Sequence, residues 1–294
     1  MKTLMVMAGG TGGPIFPAIS ILPLVIPSYV GAIAYVAALG PRGNVYGALN
    51  RHFGIESIPS IYGFFGAWLI LSLFTYPYVY LNVSAALAGL DPSLEDAARG
   101  LGRGPLTTYF TVSLPMLRPS ILAGMLLSAL YTVSDFGAVT LLRYDSLTRA
   151  IYVQYRASFD RSYAAALSLV LIVFALSLLF AEMRLRGNFR QARIGPGVSR
   201  KPRKLSLGWW RYPALGYVVL VLGLSLILPI VVLSNWLLRA WRRGDDFGQI
   251  GSATWNTIML GALGALLATA LAIPVAVLAV RHRGRISLAI ERLT

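Results

Sequence analysis

Three polar side chains lie inside apolar runs, where they could contact a solute. Asp135 is placed inside or at the end of one run, where a carboxylate is costly and usually faces a pathway or a partner. As a pathway residue it would favour a cationic solute; alternatively it caps a helix end at the interface, before Gly137. Tyr76 and Tyr78 flank Pro77 and either offer hydroxyls to a cavity or pack between helices as interfacial tyrosines. Asp135, Tyr76 and Tyr78 are the candidate pathway residues.

Two further acids, Glu95 and Asp96, begin the segment Glu95-Asp-Ala-Ala-Arg-Gly-Leu-Gly102, which lies between two long apolar runs. The preceding Asp91-Pro92-Ser93 is typical of a helix start, because Asp91 or Ser93 can cap the first amides. The acids then lie in the first turn, where the helix dipole favours negative charge. We therefore predict a short helix over 94–101.

Glycine and proline divide the rest of this loop. Gly102 and Gly104-Pro105 end the short helix, and Leu114-Pro115 ends a second segment. Taken alone, the loop 91–118 is predicted to be a helix–turn–helix folded on a membrane surface.

Several chemistries are disfavoured by composition. The chain has no cysteine, which excludes disulfides and thiolate metal sites, and its only histidines are His52 and His282. The sequence shows neither a nucleotide-binding Gly-x-x-x-x-Gly-Lys-Ser/Thr loop nor a nucleophile–base constellation. We therefore expect no catalytic residue, no metal site and no enzymatic activity.

The composition indicates a membrane protein. Apolar residues make up 56% and charged residues 13% of the chain, whereas soluble domains carry about a quarter charged residues. Apolar runs reach the ~20 residues that cross a bilayer as a helix. The predicted fold class is all-α, a polytopic transmembrane helical bundle of about six spans. The spans are predicted at 15–39, 61–89, 119–141, 163–185, 212–237 and 254–280.

The distribution of positive charge predicts the orientation. The formal net charge is +15, but the basic residues cluster just outside the apolar runs, as membrane topology requires and as nucleic-acid binding does not. With the loop 91–118 in the cytoplasm, the richest cluster, Arg184 to Arg211, is also internal. Both termini are then predicted to be cytoplasmic, with most basic side chains anchored at lipid headgroups.

The loop resembles the EAA loop of ATP-binding cassette (ABC) importer permeases. Asp96-Ala97-Ala98, Gly102 and Val112-Ser-Leu-Pro115 fall in the register of that motif, although the family usually has Glu where this chain has Asp96. The resemblance implies that a separate ATPase subunit docks on the loop. The implied coupling residues are Glu95, Asp96, Ala97, Ala98, Gly102, Leu114 and Pro115.

The regional likeness extends to a subgroup of type I importer permeases with two fused halves, whose members carry ferric iron or thiamine. Leu22-Pro-Leu-Val-Ile-Pro-Ser-Tyr29 resembles its proline-bearing span, and Ser134-Asp-Phe-Gly-Ala-Val139 resembles the outer end of the span after the loop. The resemblance implies a chain truncated at both ends relative to the family. The predicted organisation is a cytoplasmic N-terminal segment 1–14 that need not belong to the permease, a first half at 15–185, a basic cytoplasmic linker at 186–211, and the start of a second half at 212–294.

The N-terminal residues carry a second resemblance. Met1-Lys-Thr-Leu-Met-Val-Met-Ala-Gly-Gly-Thr-Gly-Gly13, continued through Ala18, resembles the start of the membrane-associated N-acetylglucosaminyltransferase of peptidoglycan synthesis, although that family has His where this chain has Pro14. The alternatives are a flexible cytoplasmic tail or a gene-fusion or start-site artefact.

The permease resemblance implies a multi-pass protein of a bacterial or archaeal inner membrane that passes a small solute, ferric iron being the best guess. It also implies the partners: an ABC ATPase that binds the ATP, a periplasmic or lipoprotein solute-binding protein, and a second permease half or copy. Membrane lipid is expected around the chain; nucleic acid and a cofactor of its own are not. The alternatives are a non-transporting permease fragment and a UDP-sugar glycosyltransferase.

Overall fold

The computed structural model describes residues 19–41, 43, 47, 51, 60–90, 92–157, 161–186, 209, 211–244 and 248–281. Within these ranges the regular structure is helical and no strand occurs. The chain forms two compact units, residues 1–235 and 236–294.

The elements follow the apolar runs and the loops between them. The first unit holds a 3₁₀ turn Leu22–Val25, α1 Ser28–Leu39, α2 Phe64–Gly89, α3 Pro92–Gly100, α4 Pro105–Thr108, a π-helical turn Tyr109–Ser113, α5 Leu114–Ser134, α6 Gly137–Leu141, α7 Leu147–Ala157, α8 Ser162–Arg186, α9 Arg211–Leu222 and a second π-helical turn Gly223–Ile227. The helix α10, Leu228–Arg243, begins in the first unit and ends in the second. The described part of the second unit continues with α11, Gly248–Arg281.

Five stretches of this structure are long and apolar enough to cross a bilayer, and the bent pair Ile19–Val25 and Ser28–Leu39 makes up to six. The five are Phe64–Gly89, Pro105–Ser134, Ser162–Leu185, Arg211–Arg243 and Gly248–Pro274. The predicted all-α polytopic class, with about six spans, is confirmed.

The first span is broken where its prolines predict a break. Proline disfavours helical geometry at the residue before it, and Ile26, before Pro27, is extended with ψ 114°. The two helical pieces meet at 94°. Pro23 is buried in the 3₁₀ turn that ends the first piece.

The third span differs from its predicted bounds of 119–141. The helical run begins at Pro105 and ends at Ser134, so the prediction is wrong at both ends. Pro119 lies within α5. The run ends because the backbone at Asp135 turns to an extended conformation, with ψ 126°.

The core of the first unit is formed where α1, α2 and α6 meet. Tyr35, Ile70, Phe74 and Val139 are buried there. The packing is close: a Cβ added at Gly31 would lie 2.2 Å from the Phe74 ring. This core lies toward the N-terminal end of α2, and α3 follows the opposite end of the same helix.

A tyrosine of α1 completes the backbone hydrogen bonding of the fifth span. In the second π-helical turn, the Leu228 amide donates to the Gly223 carbonyl, five residues back. Pro229 has no amide with which to continue this pattern to Leu224. The Tyr35 hydroxyl donates to the Leu224 carbonyl instead, at 2.9 Å. The part-buried Leu224 carbonyl, which proline leaves without this amide partner, thereby gains a donor.

Two predicted segments fall wholly or mostly outside the described residues. They are the N-terminal segment 1–14 and the basic linker 186–211, of which the structure describes only Arg186, Trp209 and Arg211. In the second unit, the side chains that are described along α11 are exposed, and Pro274 lies within that helix.

Candidate functional site

The predicted loop helix is present as α3, which begins at Pro92, two residues earlier than predicted, and ends at Gly100. Ser93 therefore lies inside the helix and is not its cap, while Asp91 lies outside the described residues. Helical periodicity separates the motif residues into two groups. Glu95 and Ala98 are buried, with 8% and 7% of their surface exposed.

Glu95 joins α3 to the second arm of the loop. The Ser113 hydroxyl, itself buried, donates to Glu95 Oε1 at 2.8 Å. Both groups are shielded from water here, so either one would lose its hydration without regaining a partner if the bond were broken. The bond holds α3 against the first π-helical turn. We call residues 92–113, which this bond closes, the coupling hairpin.

Gly102 makes the turn between the two arms. Its φ is +80°, a conformation that glycine adopts without strain. The Gly102 amide donates to the Arg99 carbonyl at 3.0 Å, and the Arg103 amide donates to the Ala98 carbonyl at 3.2 Å. These two bonds form a Schellman motif, which ends α3 and satisfies its last carbonyls. A Cβ at Gly102 would meet no atom within 4 Å, so only the backbone conformation requires glycine here.

The second arm does not end at Leu114-Pro115 as predicted. The helix passes through these residues without interruption, because a π-helical turn, Tyr109–Ser113, lies directly before them. A widened turn removes the clash that a proline ring makes with the carbonyl four residues back. Leu114 and Pro115 therefore lie inside the third span.

The outer surface of the coupling hairpin carries the remaining motif residues. Asp96 and Ala97 are exposed on α3, beside Arg99. Three large apolar side chains, Leu101, Leu106 and Phe110, are 82%, 74% and 61% exposed. A charged helix beside apolar side chains at one end of the spans is a surface suited to a protein partner.

Asp135 is buried at the opposite end of the third span and binds three elements. Its Oδ1 accepts from the Ala138 amide of α6 at 2.9 Å, and its Oδ2 accepts from the Ser28 hydroxyl at the start of α1. Its backbone carbonyl accepts from the Thr148 hydroxyl of α7 at 2.8 Å. These are the contacts of a helix cap that also fastens the broken first span to the corner after α5. A role for Asp135 in a pathway stays a prediction.

The two tyrosines point to different neighbours. The Tyr76 hydroxyl donates to the Ser20 carbonyl at 2.8 Å, in the first piece of the broken span. The Tyr78 ring lies 5.8 Å from that of Tyr131, whose hydroxyl donates to Ser28 at 3.2 Å. Tyr78 is therefore linked to Asp135 through Tyr131 and Ser28, and Tyr76 lies on the other side of α2. In the described residues, no group of three or more His, Asp or Glu side chains is placed to hold a metal ion.

Comparison with known families identifies the chain. The model of the binding-protein-dependent transport system inner membrane component matches residues 5–187. The chain belongs to this permease family. It is therefore a multi-pass, inner-membrane transport component of the ABC importer class.

Relatives of the permease carry several solutes. Over 285 residues it is 32% identical to the Fe(3+)-transport system permease protein FbpB 2 of Haemophilus influenzae, covering 96% of this chain and 53% of that protein. Over 186 residues it is 30% identical to the molybdenum transport system permease protein ModB of Escherichia coli K12, covering 61% and 80%. Over 190 residues it is 27% identical to the sulfate transport system permease protein CysT of Salmonella typhimurium, covering 63% and 67%. The permease spans about half the length of FbpB 2.

Sequence reasoning missed three residues of the permease that hold the candidate site together. They are Ser113, Ser28 and Tyr131, which contact Glu95 or Asp135, or each other, from 18 to 107 positions away in the chain. Ser113 and Ser28 lie within the stretches 112–115 and 22–29, but the resemblance implies no role for either, and Tyr131 lies in no motif. The only available signal was the need of a buried carboxylate for a hydrogen-bond donor.

Proposed function

We propose that this chain is a transmembrane permease subunit of an ABC importer, driven by a separate ATPase that docks on the coupling hairpin. The observation that carries the proposal is that some motif residues are buried and others are exposed. Glu95 and Ala98 face inward and close the hairpin, while Asp96 and Ala97 face outward beside exposed apolar side chains. One face of the hairpin is therefore packed within the loop, and the other face is accessible to a partner.

The contact between Glu95 and Ser113 connects this docking surface to the third span. A partner that moves α3 would act on the π-helical turn Tyr109–Ser113, which is continuous with the third span. Nucleotide in the ATPase and solute in the permease would then bias one two-state element from separate sites. ATP would be bound by the partner, and this chain would need no cofactor of its own.

The proposed solute is ferric iron, delivered by a solute-binding protein. The support is that a relative named for Fe(3+) transport aligns over 96% of this chain, whereas the molybdenum and sulfate permeases align over 61% and 63%. Asp135, a buried carboxylate at the corner after α5, also agrees with a cationic solute. We also propose that the chain pairs with a second permease half or copy. Both of its termini would be cytoplasmic.

Co-purification tests the docking surface. The full chain would be isolated from detergent-solubilised membranes, and ABC ATPase peptides would be quantified by mass spectrometry. We expect Asp96→Ala combined with Leu101→Ala to lower ATPase recovery at least tenfold, because these side chains lie on the exposed surface of the hairpin. Leu169→Ala, at a leucine on α8 that is also largely exposed, is the control and should change nothing. Equal recovery with all variants would refute docking on the hairpin, and no ATPase with any of them would favour a non-transporting fragment.

Uptake of labelled solute tests the cargo separately. Cells expressing the chain with its ATPase and binding protein would be given radioactive ferric iron, molybdate or sulfate. We expect ATP-dependent uptake of iron alone. Uptake of an oxyanion in its place would refute the iron assignment while leaving the permease function intact.

A further inference from the structure

A long apolar groove follows one face of α8. Its first part lies between α7 and α8, and its second part lies between α2, α5 and α8; their volumes are about 560 and 540 Å3. Leu171 lines both parts, so the two parts adjoin at this side chain. Short side chains of α8 at Ala164, Ala165, Ser168 and Ala175 leave this space open.

The length of the groove matches one leaflet of a membrane. Its lining residues on α8 run from Arg161 to Ala175, fourteen positions that span about 21 Å at 1.5 Å per residue. Half of a bilayer, from headgroup to midplane, is about 20–22 Å thick. The Arg161 end of the groove lies opposite the coupling hairpin. The hairpin comes at the start of the third span, whereas α7 and Arg161 follow the end of that span.

The end of the groove at the membrane surface is basic and aromatic. Arg161 immediately precedes α8, at the N-terminal end of the apolar stretch Ser162–Leu185. Its guanidinium lies 4.8 Å from the centre of the Tyr155 ring, and the rings of Phe136 and Tyr152 lie nearby, tilted by 49° with their centres 4.6 Å apart. Neither part of the groove is lined by an acidic side chain among the described residues. A single cation above an apolar channel complements an anionic headgroup with an acyl chain.

We propose that this groove binds one anionic phospholipid, with its phosphate on Arg161 and an acyl chain along α8 as far as Ala175. The ligand belongs to the leaflet on the side away from the coupling hairpin. The groove is also in contact with the cluster around Asp135, since Tyr131 lines the groove and its hydroxyl donates to Ser28. Bound lipid would therefore pack directly against the residues that fasten the first span.

The absence of cysteine in the chain allows a single-label test. Ala175→Cys places a small fluorophore at the deep end of the groove. Val173→Cys places the same label at nearly the same depth on the far face of α8, where Val173 is 65% exposed. Both full-length variants would be reconstituted in vesicles, and quenching by phosphatidylglycerol with brominated chains would be compared with quenching by brominated phosphatidylcholine.

We expect the label in the Ala175→Cys variant to prefer phosphatidylglycerol by about fivefold, the gain from one cation near an anionic lipid. Adding Arg161→Gln should abolish this preference, and the label on the far face should show none. Equal quenching by both lipids at the groove would overturn the proposal, because the groove would then hold bulk lipid without a headgroup site. No quenching at the groove by either lipid would also overturn it and would indicate that protein, such as a second permease half, covers this face.

Native mass spectrometry after detergent exchange gives an independent readout. We expect one retained phosphatidylglycerol per chain in the natural protein and loss of most of it with Arg161→Gln. Retention unchanged by this substitution would count against the site even if a labelled variant failed to fold.

Discussion

Replacing Glu95 by alanine should loosen the coupling hairpin while leaving the spans intact. The carboxylate is 8% exposed and accepts from the Ser113 hydroxyl at 2.8 Å. Leaving a buried hydrogen-bonding group without its partner costs about 1–3 kcal/mol. A loss of about 2 kcal/mol corresponds to roughly a 30-fold larger population of open hairpin, at about 1.36 kcal/mol per factor of ten.

Hydrogen exchange measured by mass spectrometry reports this opening directly. We expect the amides of 95–104 to exchange roughly 30-fold faster in Glu95→Ala, at the magnitude derived from that bond. The amides in the middle of α2 should be unaffected. Asp96→Ala is the matched control: it removes a carboxylate one position away on the exposed face, where substitutions usually change stability by less than about 0.5 kcal/mol.

A double-mutant cycle makes the test specific to the contact. If the two side chains stabilise the hairpin through their mutual bond, Glu95→Ala with Ser113→Ala should open it little more than either change alone. Additive effects of the two substitutions, or unchanged exchange in Glu95→Ala, would show that the bond does not close the hairpin.

Three further substitutions, one of them with a matched control, probe the packing of the first unit. Gly124→Ala should lower the thermal stability in detergent, because its Cβ would lie 2.6 Å from the backbone of α2, whereas Gly216→Ala, with no atom within 4 Å, should leave it unchanged or raise it. Tyr35→Phe should cost about 1 kcal/mol, measured by chemical denaturation, because it removes the hydrogen bond to the part-buried Leu224 carbonyl; a neutral result would refute that pairing. Asp135→Ala should speed hydrogen exchange in α6 and at the start of α1 together, and exchange confined to one of them would contradict the shared cap.

The sequence predicted those features that depend on neighbouring residues. Apolar runs predicted the number of spans, Pro27 predicted the break in the first span, and Gly102 predicted the turn of the coupling hairpin. The apolar run continues past Asp135, so it does not mark the end of the third span; the corner there also depends on the contacts of Asp135 with Thr148 and with Ser28, 107 positions away. Contacts of this kind are set by packing between helices, which no local pattern records.

Prolines inside the spans show why local rules placed the second arm of the hairpin wrongly. Leu114-Pro115 and Leu228-Pro229 both follow a π-helical turn, and in both places the helix continues. The widened turn removes the steric conflict, but it also leaves a carbonyl without its usual amide partner. In the fifth span the Tyr35 hydroxyl supplies the missing donor for Leu224. Because a widened turn has weaker internal hydrogen bonding than the helix around it, it is a point where a span can bend without breaking. Ser113, the residue that holds Glu95, is the last residue of the first such turn, so motion of α3 would reach the third span where that span is easiest to bend.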